Sequence, residues 1–386
     1  MLFELESKPE EYLKPTLIMN SNVWKICGFK DVYSILHNPD VRVSDASKYL
    51  TLLQNRANQD LQSLIQFFNG TLIFKNNNDH DRGRNFLKNG LLTNSSLVSS
   101  TAIKRQVKKI LASTPLDKEI DAISSICNKI SASVMGNLLG LETETCEELT
   151  VLSGSLVELW KPMQPISKYI QGNLIAKNAL EIISRDESLK KHNYVLSSWF
   201  SMGEKNYILS KSEISALLLF LFIGGKEEAS AFLGNALLIF LTEPELTNLS
   251  NFTEGEMRAC TYEMLRFCGP IRMVGHRFFS KPKVLSGIEI PAYSPIECNV
   301  ELAHFDPNIY ENPCTFNPRR NGPKPIVFGG GIHGCLGRRL AITEAIILLQ
   351  ELSLNYKIVH KHTIPEWESF QPLRKQRELP LILSHK

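Results

Sequence analysis

Apolar residues recur at helical spacing through most of this chain, and short alternating runs replace them near the ends. Side chains three and four apart share a helix face, and those two apart share a strand face. From about residue 100 to 240 nearly everything reads as helix, with breaks near Thr114-Pro115, Lys161-Pro162 and Pro165. Near the start, 24–29 alternates weakly, as a short strand does. Residues 30–37 follow with helical spacing and stop before Asn38-Pro39. Residues 45–75 mix helical and loop signals, and Asn76-Asn77-Asn78-Asp79 is a turn cluster ahead of a helix. The pattern changes at 271–302, where 271–279, 283–290 and 296–302 are strand-like pieces separated by Gly and Pro. Residues 303–327 read as ordered coil, Leu336 to Gln350 as helix, and the chain after Tyr356 as strand again. The expected fold is mainly α with small β-sheets, in one domain spanning 1–386. Its β-rich portion falls at about 16–45, 271–302 and 356–386, and its helical portion at about 80–270 and 336–354.

Composition narrows the function. The chain has 386 residues and is 43% hydrophobic, ample for a large core. A net charge of +3, with Lys and Arg spread along the chain, argues against a nucleic-acid binder, which concentrates its basic residues. The eight cysteines form no Cys-x-x-Cys pair, so free thiols in a reducing compartment are expected. Met1 to Lys8 contains no apolar run of signal-peptide length. The longest apolar stretch, 214–225, is shorter than the roughly 20 residues that span a bilayer. The expectation is a cytoplasmic protein without a membrane anchor.

The chemistry concentrates in Phe328-Gly329-Gly330-Gly331-Ile332-His333-Gly334-Cys335-Leu336-Gly337. Glycines let the backbone turn tightly and approach a flat partner closely. A helix N-terminus beside Cys335 favours a thiolate, and a thiolate is a good axial ligand for haem iron. A buried structural cysteine is the plainer reading of such a residue. The joint spacing of Phe328, Gly331, Cys335 and Gly337 resembles the haem-binding loop of the cytochrome P-450 family. The resemblance covers nearly the whole chain and is strongest from 205 to 345. It implies a single triangular helical domain, haem b as cofactor and Cys335 as the ligand of its iron.

Other stretches match the family in the same order. Glu263 and Arg266 stand at i and i+3, and Arg320 follows Phe316 at the matching distance. The resemblance implies a buried structural network of these three behind the haem, rather than a surface ion pair. His80 and Arg84 at i and i+4, Arg277 and His333 are the implied partners of the haem propionates. Ser210 and Glu213 form a capping box that opens a long apolar helix. Within it, Gly224, Gly225, Lys226 and Glu227 fit the first four positions of the family's oxygen-binding groove. Glu228 stands where the family places an alcohol. Glu227 and Glu228, with the two glycines, are therefore the catalytic candidates. A hydroxyl both donates and accepts, whereas an ionised carboxylate only accepts. Three readings of Glu228 stay open: a proton relay with a raised pKa, a site for a cationic substrate, and a solvated residue at a helix kink.

By resemblance the substrate pocket is lined from 45–75, about 155–200, 271–274 and the turn at 373–378, with Phe67, Phe68, Phe220, Ile223 and Met273 as apolar contacts or plain core. Arg82, Lys88, Arg338 and Arg339 suit either an acidic docking partner or a solvated face. The implied activity is insertion of one oxygen atom from O2 into a small organic substrate, in secondary metabolism. Electrons would come from NAD(P)H through a reductase and a ferredoxin or flavodoxin. The alternatives are peroxide-driven chemistry, coupling, desaturation or rearrangement without oxygen insertion, and a non-catalytic haem protein that binds a ligand or a carrier protein.

Overall fold

Some helix ends in this chain fall where the sequence removes a donor or supplies a cap. The computed structural model describes residues 13–161, 163–188, 194–246, 249–360, 365–368 and 372–386. The N-terminal residues that bear on an apolar leader, and Pro162, lie outside these. The helices in chain order are α1 (Phe29–His37), α2 (Ala46–Ala57), α3 (Gln62–Gly70), α4 (Asn77–Thr93), α5 (Ser100–Ala112), α6 (Asn128–Leu139), α7 (Thr143–Glu158), α8 (Ile166–Ser188), α9 (Tyr194–Tyr207), α10 (Lys211–Thr242), α11 (Glu254–Cys268), α12 (Val300–His304) and α13 (Arg338–Asn355). α1 buries Phe29, Val32, Ile35 and Leu36 and stops before Pro39, which disfavours a helical residue ahead of it. α11 opens on a capping box made by Thr253 and Glu256.

The strands are β1 (Thr16–Ile18), β2 (Val23–Ile26), β3 (Val41–Val43), β4 (Glu119–Asp121), β5 (Met273–Phe279), β6 (Lys283–Leu285), β7 (Ile288–Ile290), β8 (Ile296–Asn299), β9 (Tyr356–His360) and β10 (Pro380–His385). They form a five-stranded sheet in the order β1-β2-β8-β5-β3, a three-stranded sheet β4-β10-β9 and the hairpin β6-β7. The mainly α fold with small sheets is as expected. Two details differ. β4 lies inside the stretch read as all helix, because it pairs with β10 rather than with a sequence neighbour. The strand expected to run to 302 ends at Asn299, whose Oδ1 accepts from Leu302 N at 2.7 Å and starts α12 instead.

Chain contacts fall into two compact units. The first takes the residues up to Arg42, Val107–Cys127 and everything from Glu228 onward; the second takes Val43–Gln106 and Asn128–Glu227. In the second, Lys75 is buried, and its Nζ donates to Ser47 Oγ (2.8 Å), Asn69 Oδ1 (2.9 Å) and Asp45 Oδ1 (3.1 Å). One lysine thereby ties the start of α2 to the end of α3. α10 runs unbroken from one unit into the other. It begins with Glu213 N donating to Ser210 Oγ at 3.2 Å, the expected capping box. From Ile214 to Ile239 most of its positions are buried, as a long run that is apolar except chiefly at Lys226, Glu227 and Glu228 requires.

Candidate active site

The loop before α13 is shaped by glycines. Gly329 (φ +64°) and Gly331 (φ +56°) sit where a Cβ would be strained. Cys335 N donates to Phe328 O at 2.8 Å, which closes the loop on itself. Gly337 is the residue that caps α13, so Cys335 lies two residues ahead of the cap and is exposed. Phe328 carries the Arg338 guanidinium 5.4 Å above its ring. His333 is half-buried on the single turn 331–333 of the same loop.

The Glu263 network ties down the coil that precedes this loop. Arg266 donates to both carboxylate oxygens of Glu263 at 2.8 Å, and Arg320 Nε donates to them at 3.0 and 3.1 Å. Glu263 and Arg266 are buried. The remaining donors of both arginines go to carbonyls of the coil, including those of Pro313, Thr315 and Asn312. His304, the last residue of α12, is part of this assembly. Arg266 Nη1 donates to His304 O at 2.9 Å, and burial together with Arg266 pushes the His304 imidazole down to about 3.

Arg277 lies on β5 just past a bulge, where Val274 and Arg277 change register and His276 takes φ +60°. Its guanidinium is buried, donates to Gly275 O at 3.2 Å, and pairs with no carboxylate among the described residues. Burial lowers its pKa. These residues all belong to the first unit. His80 and Arg84 belong to the second, one turn apart on α4. His80 is buried with Nδ1 3.0 Å from Asp81 Oδ1, and Arg84 is half-buried.

α10 presents one accessible stripe. Phe220, Leu221, Gly224, Gly225 and Glu228 are partly exposed, while their neighbours along the helix are buried. The two glycines differ. A Cβ on Gly224 would meet nothing within 4 Å, whereas one on Gly225 would overlap the Met135 thioether of α6. The two acids differ as well. Glu227 is only 2% exposed, and its Oε1 accepts from Ser153 Oγ at 2.5 Å and Lys226 Nζ at 2.6 Å. It points off the stripe, toward α7. Glu228 lies on the stripe with no hydrogen bond or ion pair among the described residues, and burial raises its carboxyl to about 7. The helix is continuous here. Phe67 and Phe68 pack with Phe74 in the core, the Phe68 and Phe74 rings stacking at 5.4 Å. Arg82 is paired with Glu213 at 2.5 Å.

A model of the family described as Cytochrome P-450 matches residues 257–379, the span that holds the Glu263 network and the Cys335 loop. Over this span the chain matches the cytochrome P-450 family. It is 22% identical over 364 residues to the polyketide biosynthesis cytochrome P-450 PksS of Bacillus subtilis (strain 168), covering 94% of this chain and 89% of that one. It is 24% identical over 370 residues to the biotin biosynthesis cytochrome P-450 of the same organism, covering 93% and 89%. Its fold matches P-450BioI, solved in complex with an acyl carrier protein bearing hexadec-9Z-enoic acid, with a TM-score of 0.81 and 23% identity over 94% of this chain and 92% of that one.

The family is one of oxidoreductases, and its prosthetic group is haem b. The residues present fit that group. Cys335 is exposed on its loop, two residues ahead of the residue that caps α13. A buried Arg277 without a carboxylate partner suits an anionic propionate, because an unpaired buried charge is costly. Among the described residues no helix is long and apolar enough to cross a membrane.

Several residues of consequence carry no local signal in the sequence. His304 ends the short helix α12, with no neighbouring motif to mark it. Glu344, on α13, is buried, its Oε2 has no hydrogen-bond partner among the described residues, and burial raises it to about 8. Glu301 pairs with both Arg272 (2.5 Å) and the buried Arg374. That second network joins two segments expected to line the pocket, since Arg272 N donates to Pro372 O and Arg374 N to Pro270 O.

Proposed function

We propose that this cytochrome P-450 transfers one oxygen atom from O2 to a small organic substrate, with Cys335 as the thiolate that ligates the haem iron. The observation that carries the reading is the Cys335 loop: an exposed sulfur just ahead of α13, on a backbone that only glycines allow at 329 and 331. The bound haem supplies the oxidative chemistry. The chain's own residues then have separable tasks. The loop orients the sulfur, and the dipole of α13 with Arg338 nearby favours its thiolate form. Arg277 and His333 hold the propionates. Phe328 and Gly337 frame the loop. Gly224 leaves open space on the α10 stripe for a small molecule. Glu228, on the same stripe one turn later, carries a proton near neutral pH and delivers or accepts it at its carboxyl. Glu227 is a buried, paired anion that fixes α10 against α7 rather than a mobile acid.

Electrons come from NAD(P)H through separate redox proteins, a ferredoxin or flavodoxin with its reductase. The setting is secondary metabolism, in line with the biosynthetic names of the relatives. The carrier-protein complex of P-450BioI supports testing acyl groups on a carrier protein beside free small molecules. A second reading is favoured by one observation, the carboxyl in the alcohol's place. It is chemistry without oxygen insertion, or chemistry driven by peroxide. Two measurements test the proposal. The reduced protein with carbon monoxide has the red-shifted band of thiolate ligation, lost in Cys335→Ser; a histidine-type band in the wild type would overturn it. Product mass then separates the readings, because only monooxygenation adds one oxygen atom.

A further inference from the structure

Gly330 is extended, with φ −160° and ψ 180°, a conformation open to any residue. Its backbone therefore does not call for glycine. Space does. A Cβ on Gly330 would collide with the His37 ring at the end of α1, within 2.6 Å of Cε1, Nε2 and Nδ1. The imidazole thus lies flat on the Gly330 Cα. Beside it, a Cβ on Gly331 would come 2.9 Å from Leu36 O and 3.4 Å from His37 Cα. The last turn of α1 is seated in the cysteine loop.

The ring is held in that place from its other side. His37 Nδ1 lies 2.8 Å from Tyr33 O, and a carbonyl only accepts, so Nδ1 carries the proton and donates. The Tyr33 and His37 rings also stack at 4.0 Å with 24° between their planes. One hydrogen bond and one stacked ring fix the imidazole; the imidazole in turn covers the midpoint between Phe328 and Cys335.

We propose that His37 is a positioning residue for the Cys335 loop, its ring clamping Gly330 so that the Phe328–Cys335 closure holds the sulfur in one place. The inference rests on Cys335 being the haem ligand, yet the clamp itself can be read without the haem iron. Gly330 and His37 are a matched pair: the loop lacks a side chain where the helix supplies a ring.

The test compares haem-loaded wild type with His37→Ala, His37→Phe, Gly330→Ala and the Gly330→Ala/His37→Ala double variant. Amide hydrogen exchange of the 326–337 segment is followed together with the reduced carbon monoxide spectrum. In His37→Ala the Cys335 amide, bonded to Phe328 O, should exchange about tenfold faster while the helices far from the loop keep their protection. The thiolate-type band should convert to the inactive form several-fold faster. His37→Phe, which keeps a flat ring, should restore both. Gly330→Ala should damage the loop in the wild-type background and much less in the double variant, where the ring is gone. Unchanged loop exchange in His37→Ala overturns the clamp, as does equal damage by Gly330→Ala in both backgrounds. So does exchange that rises across the whole chain, which would make His37 a general packing residue. A wild type without the thiolate band would instead overturn the haem assignment, and the exchange data would still decide the role of His37.

Discussion

His304 accepts the backbone N–H of Ile326 on its Nε2 at 2.9 Å, and thereby joins the Glu263 network to the segment that enters the cysteine loop. The same residue's carbonyl accepts from Arg266. An imidazole that accepts at Nε2 must be neutral with its proton on Nδ1. The two bonds make a short path from the arginine network to the residue two before Phe328.

This arrangement predicts an acid-sensitive fold. The folded imidazole is held down to about 3 by burial and by Arg266, against an ordinary value of 6.5. Below pH 6.5 the unfolded chain takes up a proton that the folded chain refuses. Stability is therefore full above that pH and is lost as pH falls toward 3, by at most roughly 1.4 kcal/mol per pH unit. His304→Gln keeps an acceptor but cannot titrate. Melting temperature measured from pH 7 to 4 should fall less steeply in that variant. Parallel curves would mean that other groups govern the acid limb.

The Glu263 carboxylate serves two guanidiniums at once. Removing it strands Arg266, which is buried with no other anion beside it among the described residues, and largely strands Arg320. Glu263→Ala should cost about 3–5 kcal/mol, as breaking a buried ion pair does. The expected result is little folded, haem-loaded protein. A variant with normal haem content and melting temperature would show that the coil is held by other contacts. Glu263→Gln should be intermediate, since an amide still accepts from one arginine.

The paired glycines of α10 predict opposite outcomes. At Gly224 an alanine side chain would meet open space, and alanine favours the helix by about 1 kcal/mol over glycine. Gly224→Ala should raise the melting temperature and alter binding of the bulkiest substrates. At Gly225 the added methyl would collide with Met135, and overpacking of this kind costs about 1–3 kcal/mol. Gly225→Ala should lower the melting temperature, and Met135→Ala in the same chain should relieve the collision. Equal effects of the two single substitutions would contradict the geometry.

How far the sequence could be read follows from how local each signal is. The Cys335 loop was legible because its glycines answer to backbone geometry within ten residues. The Glu263–Arg266 pair was legible from helix spacing, and Arg320 from its place in the coil. His304 was not, since nothing near it in sequence marks its bond to Ile326. β4 was missed because three residues gain strand geometry from β10, far along the chain. The difference between Glu227 and Glu228 was out of reach for another reason. α10 is apolar all round, so its sequence has no polar face from which to phase two adjacent acids. Only Ser153 and Lys226 reveal that Glu227 turns inward.

Glu228 carries the most informative prediction. Its carboxyl sits on the accessible stripe, and burial lifts it from 4.5 to about 7. Because the folded value is raised, the protonated form stabilises the fold, and that contribution fades as pH rises from 4.5 through 7. The same titration bears on turnover. Below pH 7 the carboxyl holds a proton it can give; above it the group is an anion and only accepts. If Glu228 relays protons, coupling of NAD(P)H oxidation to product should fall as pH rises through 7. Glu228→Gln should then remove that limb and release more hydrogen peroxide per NAD(P)H at every pH. If Glu228 instead pairs with a cationic substrate group, the same substitution should weaken substrate binding and leave coupling intact, because a lost ion pair removes ground-state affinity rather than a transition-state interaction. A variant unchanged in both coupling and affinity would make Glu228 a bystander. Glu228→Thr would then be decisive: improved coupling with an alcohol in that position would mean that the site still depends on a proton relay that the natural chain provides only weakly.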